Sequence, residues 1–337
     1  TSGGELMRYI NFRRSAMLGL ITVLCLAFAM TASAKGKKYG LFVGINDYPG
    51  DDHDLRGAVN DAKNMKSLLE TKYGFIAAND MLLTDNGATR AAILDGITKL
   101  GAKAGVGDML VIQYSGHGSL FPDKYSNELD ETQKVELHVT FEDGSKYDIP
   151  LDYYDSAICP WDMEDENSTN NWGNMILDDE LYAAFAPLTA KGVNVVFVSD
   201  SCHSGTVGKG KLKGTVRFMK PEYAFKGKSF AELHLAAPAG QKTIKARQMP
   251  GNYIALTAAK DNEFAMDSAG GGVASGLFTT KLIAAIRASK TPLTYKRLIT
   301  LVEPQVAETS LTMDNNQHPQ LDGRFGNTAG TIFTLPK

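Results

Sequence analysis

Residues 195–205 read Val195-Val196-Phe197-Val198-Ser199-Asp200-Ser201-Cys202-His203-Ser204-Gly205. Its apolar, β-type half ends in an acid and a lone cysteine. An earlier apolar run, residues 109–114, ends in the same way, in Ser115-Gly116-His117-Gly118. Open α/β sheets place their sites at the carboxyl ends of parallel strands. The two runs therefore predict buried strands that deliver a histidine and a cysteine to one edge of a sheet.

The rest of the chain alternates strand patterns with helix patterns. Further apolar runs predict strands at 38–45, 80–83 and 253–258, and a final edge strand at 331–335. Apolar residues at helical spacing predict helices over 55–73, 89–103, 177–186, 276–287 and 294–308. Asp143-Gly144, inside an alternating stretch, predicts a β-hairpin insertion. This order predicts an α/β fold with a mainly parallel central sheet and helices on both faces.

Composition narrows the function classes. The 337 residues are 43% apolar and carry a formal net charge of −3, which is typical of a globular protein. This balance provides no basic face for nucleic acid, so no nucleic-acid partner is expected.

Periodicity fades between residues 206 and 251, where lysines and arginines accumulate. We interpret residues 209–250 as a long exposed linker or flap between a larger part, about 35–208, and a smaller part, about 251–337.

The first 34 residues predict leader residues followed by a signal peptide. A positively charged segment precedes an apolar stretch at 16–30, which is short for a membrane span. Ala32-Ser33-Ala34 then supplies a cleavage site of small residues. We expect export to the periplasm or beyond, with no stable membrane anchor after cleavage; a retained anchor is the alternative.

Export would change the number of cysteines in the mature chain. Of the three cysteines, Cys25 would leave with the signal peptide, so the mature chain would keep Cys159 and Cys202. Three are too few for a disulfide framework. The remaining two either form a disulfide or remain free thiols, with Cys202 reactive and Cys159 unreactive.

The residues at the two strand ends permit nucleophilic chemistry. A cysteine thiol needs a base in reach, and His117 could take its proton. Gly116 and Gly118 let the backbone approach a substrate closely. The backbone N–H groups of Gly118 and Cys202 could together form an oxyanion hole.

These motifs carry a specific resemblance. Tyr114-Ser115-Gly116-His117-Gly118 and Asp200-Ser201-Cys202-His203-Ser204-Gly205 resemble the two catalytic signatures of the metacaspases, called orthocaspases in bacteria, in the caspase-like clan of cysteine peptidases. Further segments match in the same order: 44–46, 55–62, 158–162, 176–181, 256–259, 276–279 and 318–321. The resemblance implies a caspase-like fold from about residue 38 to the end of the sequence.

The resemblance also implies roles for individual residues. Cys202 would be the nucleophile and His117 the general base of an endopeptidase that cleaves after Arg or Lys. Asp61 and Asp200 would line the pocket for the basic side chain, with Ser115 as a polar wall, because two carboxylates can hold a guanidinium through charge-assisted hydrogen bonds. The alternatives are an exposed helical acid for Asp61 and a cap or turn residue for Asp200. His203 is interpreted as a loop residue.

Calcium activation is a further implication. Asp162, Asp178 and Asp179 match three carboxylate ligands of the family, and oxygen ligands of this type suit calcium. A fourth acid of the family is replaced here by Lys209, which would repel the ion. The alternative is a solvated acidic loop in which Asp178 and Asp179 serve the start of a helix.

A basic linker beside a pocket for basic side chains predicts self-cleavage within that linker. The alternative is that the linker is a flap that covers the cleft.

The expected partners are protein or peptide substrates, and we expect a monomer. Two other functions are alternatives. One is a caspase-fold binding or regulatory protein without turnover. The other is a metal hydrolase that uses His117, Cys202 and His203, for which the remaining residues offer no ligand spacing.

Overall fold

The fold is built on a six-stranded sheet. The structure is a computed structural model, and it describes residues 36–49, 53–122, 136–140, 146–150, 154–163, 174–202, 215–219, 249–260, 263–268, 273–323 and 328–335. In spatial order the strands are β2 (Asp80–Thr84), β1 (Lys38–Gly44), β3 (Met109–Ser115), β9 (Asn194–Asp200), β11 (Tyr253–Thr257) and β14 (Gln320–Gly323). Every neighbouring pair is parallel except β11 and β14, which are antiparallel. The predicted mainly parallel sheet is confirmed.

Helices cover both faces of this sheet, as predicted. The described residues contain α1 (Ala58–Tyr73), α2 (Arg90–Lys103), α3 (Asp178–Ala190), α4 (Leu277–Ala288) and α5 (Tyr295–Leu311). Apolar residues of α1, α4 and α5 share one buried core, and those of α2 and α3 share another. Successive side chains of a strand point to opposite faces, so Phe42 of β1 joins the first core while Leu41 and Val43 join the second.

Smaller sheets surround the central one. An antiparallel sheet consists of β4 (Gly118–Pro122), β7 (Tyr154–Ile158) and β8 (Ile176–Leu177). The predicted hairpin is present as β5 (Glu136–Thr140) and β6 (Lys146–Pro150), which pair antiparallel, while its Asp143-Gly144 turn lies outside the described residues. A third sheet joins β10 (Thr215–Val216), β12 (Met266–Ser268) and β13 (Ser275–Gly276).

The final edge strand was predicted at the wrong place. The antiparallel edge of the central sheet is β14, whereas residues 331–335 form no strand beyond a single bridge between Thr331 and Thr294. The adjacent Ile332 and Phe333 are both fully buried, so this apolar run fills the core instead of alternating across a sheet. Their N–H groups bond to the Leu293 carbonyl and the Tyr295 hydroxyl at the start of α5.

Part of the predicted exposed linker is buried. Residues 215–219 lie within it, yet Arg217, Phe218 and Met219 are only 0%, 6% and 1% exposed. The basic composition of the stretch suggested solvation, but the charge of Arg217 is compensated inside the protein by acids from other elements. The other residues of the linker up to 248 lie outside the described residues.

Lys37–Lys337 form one compact unit. The predicted leader and signal peptide, residues 1–34, lie outside the described residues. Among the residues that the structure describes, no helix combines the length and the apolar character needed to cross a lipid bilayer.

Candidate active site

The two central strands bring the predicted dyad residues to one edge of the sheet. β3 and β9 are parallel neighbours, and their register pairs Ser115 with Asp200. His117 and Cys202 therefore each follow the end of a neighbouring strand by two residues. Both are buried, with 4% and 0% of their surface exposed.

Backbone and tyrosine groups hold His117 in place. Its ring Nε2–H donates to the carbonyl of His53 at 2.8 Å, which leaves the lone pair of the neutral ring on Nδ1. Nδ1 has no hydrogen-bond partner among the described residues. The His117 N–H donates to the Tyr48 hydroxyl at 2.9 Å, and its carbonyl accepts from the Tyr114 hydroxyl at 2.6 Å. Burial lowers the pKa of His117 to about 4, so the ring is a neutral base near pH 7.

The thiol of Cys202 is protonated in this arrangement. Its sulfur accepts from the N–H of Ala265 at 3.0 Å and lies 3.5 Å from the Ala265 carbonyl, to which the S–H donates. Burial raises the pKa of Cys202 to about 12. Cys159 is also a free, buried thiol, and its pKa is likewise raised by burial. Of the two alternatives for these cysteines, the structure has the separate thiols.

The N–H groups predicted to form an oxyanion hole converge on one carbonyl oxygen. Gly118 N–H and Cys202 N–H both donate to the carbonyl of Arg217, at 3.0 and 3.2 Å. The approach requires glycine at position 118, because a Cβ there would lie 1.7 Å from the Cys202 carbonyl oxygen. Two backbone N–H donors directed at one carbonyl oxygen have the arrangement that an oxyanion hole requires.

The side chain of Arg217 lies among three buried carboxylates. Its Nη2 donates to Asp61 Oδ2 at 2.6 Å and to Asp267 Oδ1 at 2.8 Å. Its Nε lies 3.3 Å from the same Asp267 oxygen. Its Nη1 donates to the Asp200 carbonyl at 2.9 Å and lies 3.3 Å from Asp200 Oδ1. Asp61 and Asp200, both predicted to line a pocket for a basic side chain, thus surround a guanidinium.

Other groups orient these two acids. Asp61 accepts from the N–H of Gly276 at 3.0 Å and from the Ser275 hydroxyl, and Asp200 Oδ2 accepts from the N–H and the hydroxyl of Thr279 at 2.9 and 2.6 Å. Burial raises the pKa of Asp61 to about 6, although the nearby Arg217 acts in the opposite direction. Burial acts to lower the pKa of Arg217, but the three acids around it together outweigh burial and raise this pKa, so the guanidinium stays charged.

Two further residues of the site are Ser115, which the sequence predicts as a pocket wall, and Asp267, which it does not predict. The Ser115 hydroxyl accepts from the Gln113 side chain at 2.7 Å, and its role as a pocket wall stays a prediction. Asp267, in contrast, contacts the guanidinium and was missed, because its neighbours in the chain carry no recognisable motif. The contacts of Tyr48 and His53 to His117 were missed for the same reason, and that of Tyr114 was missed because it is made by the side-chain hydroxyl, which the strand pattern does not show.

The backbone of residues 215–219 lies as an added strand between β12 and the start of β4, in the space that we call the cleft. Thr215 and Val216 pair antiparallel with β12, and Arg217 N–H donates to the Ala265 carbonyl at 2.9 Å. On the other side of Arg217, Met219 N–H donates to the Gly118 carbonyl at 2.8 Å. Strand addition of this type is a recurring mode of peptide binding. The segment therefore occupies the cleft in the manner of a bound peptide.

The residues predicted to bind calcium do not form a common site in the described part of the chain. Asp162 Oδ1 accepts from the backbone N–H of Arg90 at 2.7 Å, at the start of α2, and the guanidinium of Arg90 pairs with Glu180 at 2.6 Å. Asp178 and Asp179 begin α3. No group of three or more His, Cys, Asp or Glu residues among those described could hold a metal ion. Lys209 and His203 lie outside the described residues.

Comparison with known proteins agrees with this architecture. Residues 37–326 match the Peptidase C14 family model, described as the caspase domain. Metacaspase-1A of Neurospora crassa is 25% identical over 90% of this chain and 66% of its own length. Metacaspase-1 of Lodderomyces elongisporus is 29% identical over 86% of this chain and 65% of its own length. The chain thus spans slightly less than two thirds of the length of these curated relatives.

Solved structures share the fold. The crystal structure of protein GSU0716 from Geobacter sulfurreducens has a TM-score of 0.58 at 23% identity and covers 89% of this chain and 100% of its own. Caspase-1 from Spodoptera frugiperda has a TM-score of 0.50 at 13% identity, covering 86% of this chain and 87% of its own. The predicted caspase-like fold is confirmed.

Proposed function

The chain belongs to the caspase-domain family of peptidases, and from that premise we propose that it is a cysteine endopeptidase that cleaves after arginine or lysine. One observation carries the proposal: Arg217 has its carbonyl oxygen between two backbone N–H donors and its guanidinium among three carboxylates. A peptide substrate with a basic residue before the scissile bond would take the same place.

The chemistry follows from the groups at the carbonyl. The Cys202 sulfur would add to the carbonyl carbon while its proton passes to Nδ1 of His117, since the resting pair is a neutral thiol and a neutral imidazole. Gly118 and Cys202 N–H groups would hold the oxyanion. Collapse breaks the C–N bond, and the leaving amine takes the proton from His117. Water then hydrolyses the thioester, which releases the carboxylic acid and restores the thiol.

We further propose that the predicted self-cleavage occurs at the bond between Arg217 and Phe218. That bond carries the carbonyl held by Gly118 and Cys202, and its arginine fills the acidic pocket. Until it is cut, the same segment covers the cleft, so the two alternatives for the linker become successive states. Cutting would allow residues 215–219 to leave and other substrates to enter.

Calcium activation and export are separate proposals. Calcium activation rests on the resemblance alone, and no step above depends on it, because the described acids do not form a ligand set. Export rests on the sequence of residues 1–34. We also propose that the protein is a monomer and that its substrates are proteins or peptides with Arg or Lys before the cleaved bond.

A reporter panel tests the activity. Fluorogenic peptides that end in Arg, Lys or Asp are given to the wild type and to Cys202→Ala after incubation long enough for self-cleavage. We expect cleavage after the basic residues only and none by Cys202→Ala. An arginine-containing electrophile should label Cys202 in the presence of a chelator, which a metal hydrolase would not explain. Cleavage that survives Cys202→Ala, or labelling without any turnover, would contradict the proposal.

A further inference from the structure

Asp267 differs from the other two acids of the pocket in the part of the guanidinium that it contacts. Its Oδ1 accepts from both Nε, at 3.3 Å, and Nη2, at 2.8 Å. Asp61 meets only Nη2, and Asp200 meets only Nη1. Nε is an atom that arginine has and lysine lacks. Asp267 is therefore the acid that recognises the inner edge of the guanidinium.

The backbone before α1 fixes the orientation of this carboxylate. Asp267 Oδ2 accepts from the N–H groups of Arg56 at 2.8 Å and Gly57 at 3.2 Å, which leaves Oδ1 directed at the guanidinium. A Cβ at position 57 would lie 2.6 Å from Oδ1, so glycine there permits the close approach. The carboxylate is held in place by main-chain donors and does not depend on Arg217 for its position.

A lysine side chain cannot reproduce these contacts. The three acids receive hydrogen bonds or charge contacts from three separate nitrogens of one planar group. Lysine carries its charge on a single nitrogen, which cannot reach all three acids at these distances. A lysine would leave a buried carboxylate without its partner, and an uncompensated buried charge is strongly unfavourable.

We propose that Asp267 is a specificity-determining residue that makes this pocket select arginine over lysine. The inference rests on the proposed peptidase function and narrows its substrate class to arginine peptides. Without Asp267, Asp61 and Asp200 remain, which suffices for a single ammonium. Loss of Asp267 should therefore weaken arginine cleavage much more than lysine cleavage.

The test compares two peptides that differ only in arginine or lysine before the scissile bond. The ratio of their kcat/KM values is measured for the wild type, Asp267→Asn and the control Asp108→Asn. The ratio does not depend on the fraction of active enzyme, so partial misfolding does not affect it. Asp108 is a buried acid at the opposite end of β3, where it accepts from the N–H groups of Lys37 and Gly105.

We expect the wild type to favour arginine and Asp267→Asn to lower the ratio roughly 10- to 100-fold, the effect of one lost charge-assisted hydrogen bond. Asp108→Asn should leave the ratio unchanged. An unchanged ratio in Asp267→Asn, or equal cleavage of both peptides by the wild type, would overturn the inference. Failure of the wild type to cleave either peptide would instead overturn the proposed function itself.

A second variant tests the same contact without altering the pocket. In Arg217→Lys, the segment that occupies the cleft carries lysine in place of arginine. Self-cleavage after residue 217 should slow roughly 10- to 100-fold relative to the wild type, measured as the loss of intact chain with time. Equal rates for the two proteins would contradict selection of arginine.

Discussion

Replacing Arg217 with methionine should release residues 215–219 from the cleft. The side chain contacts Asp61, Asp200 and Asp267 in a fully buried setting. Removing one partner of a buried ion pair costs about 3–5 kcal/mol, because a charge is left uncompensated. We expect the lower end, about 3 kcal/mol, because Asp61, with a pKa of about 6, can take up a proton. At 1.4 kcal/mol for each factor of ten, the equilibrium constant for docking of residues 215–219 should fall about 100-fold.

Hydrogen exchange measures that release. Two proteins are compared, Cys202→Ala and the double variant Cys202→Ala with Arg217→Met, since loss of the thiol prevents cleavage during the experiment. The amides of Arg217 and Met219 are bonded to the carbonyls of Ala265 and Gly118, so their protection reports docking of the segment. In the double variant, the amides at positions 217 and 219 should exchange about 100-fold faster.

The control is Arg90→Met in the same background. Arg90 also pairs with an acid, Glu180, but both side chains are about a fifth exposed. This variant should leave protection of residues 215–219 unchanged. If Arg217→Met also left the protection of residues 215–219 unchanged, the contacts of Arg217 with the three acids would not be what keeps the segment bound.

Three further predictions concern the same site. The rate of self-cleavage should fall as the pH drops through about 6, because Asp61 then takes up a proton and loses its charge. His117, with a pKa of about 4, is still a neutral base at that pH. A rate that stays constant down to about pH 4 and falls only there would contradict this prediction. Gly118→Ala should lower kcat roughly 10²- to 10³-fold with an unchanged circular dichroism spectrum, because its Cβ would meet the Cys202 carbonyl and displace an oxyanion donor; full activity would be inconsistent with that role. Calcium activation predicts that a chelator removes activity and added calcium restores it, and full activity in chelator would rule it out.

Much of the fold could be predicted from local patterns. Apolar runs followed by small and polar residues located β3 and β9, whose ends deliver His117 and Cys202. Helical spacing with Gly74 as the stop signal located α1, and Gly74 has the left-handed φ of +71° expected of such a cap. These elements follow from burial of one face and from backbone geometry, which neighbouring residues already determine.

The bound segment could not be predicted in this way. Arg217 lies in a stretch whose composition is typical of a solvated linker, and its burial depends on acids contributed by α1, β9 and β12. Asp267 reaches it through the pairing of β10 with β12, a two-residue contact without a periodic signal. The edge strand β14 was missed for a similar reason, because its pairing with β11 covers only residues 320–323.

The amino-terminal residue of the fragment released by self-cleavage tests most directly whether Arg217 is bound as a substrate. Purified full-length protein is incubated, and the fragments of the wild type and Cys202→Ala are identified by mass spectrometry. We expect a new chain that begins at Phe218 in the wild type and an uncut chain in Cys202→Ala. Cleavage elsewhere in residues 209–250 with the bond between Arg217 and Phe218 intact, or the same fragments from both proteins, would contradict this expectation.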